Sequence, residues 1–75
     1  MVLDKIILIL ANYLDVSNSE LDDDTMLFFD YDLEDEDVEK IIGLLNDEFY
    51  IEIDIDTFCE FNTIGEIAEY IESLI

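Results

Sequence analysis

The chain has 75 residues, 52% of them apolar, and 22 acidic side chains against two lysines give it a formal charge of −20. That length holds one small domain, residues 1–75, and the apolar fraction is too high for a disordered acidic tail. With no His, no Arg and only Lys5 and Lys40 as cations, the chain lacks the commonest general base, the usual oxyanion clamps and any basic patch; it reads as neither an enzyme nor a direct nucleic-acid binder.

Leu3, Ile6, Ile7, Leu10, Ala11 and Leu14 recur at the spacing of one helical face and predict a first helix over about residues 3–15. Ile9 and Tyr13 widen the stripe enough for contact with two neighbours. No apolar run reaches the roughly 18 residues that a membrane span needs. The opening "MVLDKIILILANYL" contains Asp4 and no small-residue cleavage site, so a soluble, cytoplasmic protein with no membrane partner is expected. From Val16 to Leu33 the periodicity gives way to "VSNSELDDDTMLFFDYDL", a long loop rich in Asp, Asn and Ser. Such a loop needs anchors, and most of Leu21, Met26, Leu27, Phe28 and Phe29 are expected to pack inward.

The second helix carries the clearest pattern. Val38, Ile41, Ile42, Leu45 and Phe49 share a face, with Leu44 and Glu48 at its margin; Glu36, Lys40, Gly43 and Asp47 fall on the opposite, wet side. Asp35 is the expected N-cap, and Glu36 with Lys40 an exposed pair one turn apart. Gly43 marks either a close approach or a tolerated surface position. Next, "YIEIDID" alternates like a strand, but no second alternating run exists to pair with it. It therefore reads as an extended connection laying Ile51, Ile53 and Ile55 against the helices. "DTFCEF" then forms a short helix, and the single Cys59, unable to make an internal disulfide, is expected to fill the core. Thr63 and Glu66 have the spacing of a capping box, and Ile64, Ile67, Ala68, Ile71 and Leu74 or Ile75 supply the apolar face of a last helix. The predicted fold is all-α: a small antiparallel bundle of three main helices and one short one.

The segment "DYDLEDEDVEKI", residues 30–41, concentrates seven carboxylates around the start of the second helix. Each is favoured there by roughly 0.3–1 kcal/mol through the helix dipole, yet seven exceed any capping need. Asp30, Asp32 and Glu34 alternate as calcium ligands do, but an EF-hand loop places Gly sixth and Glu twelfth. This chain has Asp35 and Ile41 there, so no metal site is assigned.

The order of elements, the passage "LLNDEFYIEI" and the opening "FNTIGEIAEYI" of the last helix resemble the acyl carrier protein family over nearly the whole chain; "DTMLFFDYDL" is similar more weakly. The resemblance implies a carrier whose Asp-Ser-Leu motif, at the head of the second helix, bears 4′-phosphopantetheine. It also implies that the acids of that helix meet basic surfaces on acyl-transfer, synthase or related enzymes. Counted back without a gap from Phe49, the serine position falls on Asp35. Glu34 and Glu36 stand where the motif's Asp and Leu would be, and Asp32 replaces its upstream Gly. A carboxylate offers neither the nucleophile that attacks the pyrophosphate of coenzyme A nor a stable phosphodiester, so loading is not expected. Ser17, Ser19 and Ser73 lack the motif's context. The implied protein is a monomeric carrier-like docking module with Glu34, Glu36, Asp37, Glu39 and Asp47 facing its partner. It is either a natural non-loadable homologue or a Ser-to-Asp variant, and the further departures at Glu34 and Glu36 favour the first. Charge alone supports a rival from another class: an acidic mimic of a nucleic-acid backbone that occupies the basic groove of a nucleic-acid-binding protein.

Overall fold

The three-and-four stripe of the first segment forms helix α1, Val2–Leu14, in a computed structural model that describes residues 1–75. Ile6, Leu10 and Ala11 are buried on its inner face, and Asp15 ends it in the left-handed region with its N–H on the Ala11 carbonyl.

The long loop has structure of its own. Ser17 starts a 3-10 turn at Asn18–Glu20, with Glu20 Oε2 accepting from the Ser17 N–H at 3.0 Å. Asp22 and Thr25 close the next turn, the Asp22 N–H donating to Thr25 Oγ1 at 3.0 Å. A one-turn helix, α2, Leu27–Asp30, follows. The expected inward packing holds for Leu21, Leu27 and Phe28, but Met26 and Phe29 turn to solvent. One turn has only one inner side. With Leu27 in the core and Phe28 edge-on to Phe58, ring centroids 5.8 Å apart, a further rotation of about 100° carries Phe29 outward.

Helix α3, Asp35–Phe49, buries Val38, Ile41, Ile42 and Leu45. Its N-cap is Glu34 and not Asp35, because the Asp37 carboxylate reaches back to the Glu34 N–H at 2.9 Å and starts the helix one residue earlier. Gly43 has nothing within 4 Å of where a Cβ would stand, so it is the tolerated surface glycine. Tyr50 closes α3 at φ 56°, its N–H on the Asn46 carbonyl. "YIEIDID" forms no strand: Ile53 is buried, with its N–H on Asn46 Oδ1 at 2.9 Å, and Ile51 is half-buried. Ile55, expected against the helices, is exposed and opens the one-turn helix α4, Ile55–Phe58. Cys59, expected in the core, is also exposed. The turn that drives Phe58 inward rotates the next residue out.

Helix α5, Ile64–Leu74, begins at the expected capping box, the Glu66 N–H donating to Thr63 Oγ1 at 3.2 Å. The loop before α2 clasps its first turn: Ile64 N–H donates to the Thr25 carbonyl at 3.0 Å and Gly65 N–H to that of Asp23 at 2.9 Å. Any Cβ at position 65 would lie 2.9 Å from the same Asp23 oxygen, so this contact requires glycine.

Two links set α1 against α3. Tyr13, near the end of α1, bonds Asp37 in the first turn of α3, and Lys5, near the start of α1, pairs with Glu48 in the last turn of α3 at 3.7 Å, so the helices run antiparallel. Packing of α5 against α1 completes the bundle. Its core is one cluster of 15 buried residues, all apolar, which leaves every carboxylate at or near the surface. No helix is long and apolar enough to cross a membrane.

Candidate functional site

At the head of α3, four consecutive carboxylates, Glu34, Asp35, Glu36 and Asp37, occupy the N-cap and first turn, where unpaired backbone N–H groups and the helix dipole favour negative charge. The four differ in environment. Asp37 is half-buried and uses both oxygens: Oδ2 accepts from the Glu34 N–H at 2.9 Å and Oδ1 from the Tyr13 hydroxyl at 2.7 Å. Those two bonds, the backbone one first, hold its carboxyl below the usual range for Asp. The bond to Asp37, aided by desolvation and the neighbouring negative charge, raises the Tyr13 hydroxyl above the usual tyrosine value.

The other expected docking acids point to water. Glu34, Glu36, Glu39 and Asp47 are exposed, and Glu36 is paired with Lys40 at 3.1 Å. Asp35 is exposed too, and its carboxylate accepts no hydrogen bond from the chain. Turning by about 100° per residue, Glu36, Lys40 and Asp47 form one outer stripe of α3 with Glu39 beside it. Both lysines are committed to ion pairs with glutamates, so no cation stands free on this surface.

The head of α3 contains no hydroxyl. Ser17 and Ser19 lie in the 3-10 turn with their hydroxyl oxygens 2.9 Å apart, and the Ser73 hydroxyl donates to the Tyr70 carbonyl near the end of α5. None of the surface hollows is lined by residues 34–37. Asp30, Asp32 and Glu34 do not converge as cation ligands. The carboxylates that do approach one another, within 4.8 Å, are those of Asp22, Asp23 and Asp24, all exposed.

Sequence reasoning missed the link from Tyr13 to Asp37. Its available signal was a tyrosine at the edge of an apolar stripe, a place where the ring packs and the hydroxyl seeks a partner.

A family model described as phosphopantetheine attachment site matches residues 4–71, which takes in nearly all of α1, the loop with α2, the whole of α3 and α4, and most of α5. No curated protein matches the chain. Carrier domains of this kind are not themselves enzymes, and 4′-phosphopantetheine is the cofactor of the family. Over that span, and with an all-helical bundle whose last helix starts at its expected cap, the chain belongs to the phosphopantetheine-attachment family as an acyl-carrier-protein-like member.

Proposed function

We propose that this chain is a carrier-like docking module that does not itself carry 4′-phosphopantetheine. The observation behind the reading is the unbroken run of carboxylates at the head of α3, in a family whose members bear a prosthetic group on a serine. By ungapped count from Phe49 that serine's place is held by Asp35, exposed and unbonded. Its carboxylate does not fit the group, since it has no hydroxyl proton to give up and forms no stable phosphodiester.

What remains is recognition. The stripe of Glu36, Glu39 and Asp47, with Glu34 and Asp35 at its head, faces a basic surface on an acyl-transfer, synthase or related enzyme. Complementary charge of this kind raises association rates by roughly 10- to 1,000-fold at low salt and selects partners more than it adds affinity. Asp35 adds a negative charge at the helix N-terminus, where a phosphate would hang from a loaded carrier. The module works as a monomer in the cytoplasm, where an exposed Cys59 stays reduced.

The test is intact-mass measurement after incubation with coenzyme A and a broad-specificity phosphopantetheinyl transferase, for the parent and for Asp35→Ser. The parent should gain no mass, and the variant should gain one phosphopantetheine. An adduct on the parent overturns the reading.

The acids also extend far from α3, over Asp22, Asp23 and Asp24 and over Glu66, Glu69 and Glu72 of α5, all exposed. That spread favours a second reading, a mimic of a nucleic-acid backbone seated in a basic groove. Partner identity separates the two: an acyl-transfer or synthase enzyme against a nuclease or other nucleic-acid-binding protein.

A further inference from the structure

We propose that Phe29 is the apolar anchor of the docking face, seating in an apolar pocket rimmed by Lys or Arg on a partner protein. The inference rests on the docking reading above and adds to it the residue that supplies affinity.

Phe29 is 82% exposed and Met26, three residues earlier, is 41% exposed; neither belongs to the residues that pack against the core. The turn that displays them is fixed. Asp30 closes it twice, its carboxylate accepting from the Met26 N–H at 3.1 Å and its own N–H donating to the Met26 carbonyl at 2.7 Å. Leu27 is buried beneath, and Phe28 stands edge-on to the buried Phe58. The backbone of a pinned turn has little freedom left to lose on binding, a phenyl ring adds only two torsions to be fixed, and buried aromatic rings dominate interface energetics.

The surroundings define the partner. Five exposed acids, Asp30, Asp32, Glu34, Asp35 and Glu36, follow Phe29 within seven residues, with no cation among them. Even fully extended, the chain from residue 29 to residue 34 spans at most about 18 Å. A standard interface covers ~800 Å² on each partner, a disc about 32 Å across, which is wider than the separation of the ring from the head of α3. Nucleic acid and anionic lipid surfaces are repelled by this charge. A basic protein surface is attracted by it, and an apolar pocket within that surface takes the ring out of water.

The experiment places p-benzoylphenylalanine singly at position 29, at position 36 and, as a control on α5, at position 72. Each full-length protein is irradiated in extract of its native cell, and the adducts are mapped by peptide sequencing. Positions 29 and 36 should mark the same protein at a surface carrying Lys or Arg, and position 72 should not. Phe29→Ser combined with the probe at 36 should cut that adduct about tenfold while leaving the melting temperature unchanged. An adduct from 36 but none from 29, or one that Phe29→Ser does not weaken, overturns the anchor and leaves the docking face standing. Absence of any adduct from both positions overturns the docking face, and the anchor with it. An adduct from 29 to a second copy, to lipid or to nucleic acid also overturns the proposal.

Discussion

Tyr13 and Asp37 tie the end of α1 to the start of α3 through a hydrogen bond of 2.7 Å, and the same carboxylate caps α3 through the Glu34 N–H. One side chain thus serves both the helix start and the helix pair. Asp37, although it lies among the expected docking acids, therefore has both carboxylate oxygens committed to bonds within the chain.

Removing the hydroxyl with Tyr13→Phe should lower the melting temperature measurably and make it less sensitive to acid. The carboxyl of Asp37 is depressed in the folded state, so its contribution is fully present above the ordinary value of 3.8 and is lost as pH falls through the lower, folded value. Tyr13 is the mirror case. Its raised hydroxyl contributes below the ordinary 10.0 and loses that contribution as pH rises through the folded value. Melting curves of parent and variant from acid to alkaline pH check this: the gap between them should be widest at mid-range pH and close at both extremes. A constant gap would count against the bond.

Gly43→Ala should stabilise the fold by about 1 kcal/mol, since the new methyl meets open space and the helix interior loses its most flexible residue. In a domain this small that is a rise of roughly 4–8 °C in Tm. Tyr50→Gly should act in the same direction by about 1 kcal/mol, because Tyr50 holds a left-handed backbone while 92% exposed, with little packing to lose. Urea midpoints of the two single variants and the double variant test both, and distant sites should add.

Gly65→Ala should do the opposite. The added carbon would lie 2.9 Å from the Asp23 carbonyl oxygen, and relieving that contact pulls the loop off the first turn of α5. The cost should be about 1–3 kcal/mol despite the better helix propensity of alanine. Hydrogen exchange at the amides of residues 64 and 65 should speed up in the variant, a change that general destabilisation elsewhere in α5 would not confine to those two sites.

Salt should stabilise this protein. Twenty-two acids face only two lysines, so the folded state is pressed apart by its own charge, and a screening length of about 8 Å at physiological ionic strength shortens that repulsion. Tm should climb from low to physiological NaCl, and further with magnesium. A flat profile would show that the charges are too dispersed to matter.

Helices α1, α3 and α5 are legible in the residues alone because a helical face depends only on partners three and four positions apart, and the Thr63 to Glu66 cap is local for the same reason. The sequence by itself also determines the chemistry that is missing: no hydroxyl stands among residues 34–37 and no histidine anywhere. Tertiary structure decided the rest. Asp37 is drawn to a half-buried place against α1 by the Tyr13 hydroxyl, 24 residues away on another helix. Phe29 and Cys59 face water because Phe28 and Phe58 claim the same interior space, a competition between segments that no short-range pattern encodes. Gly65 is required by a carbonyl oxygen at Asp23, which only the folded loop brings within reach.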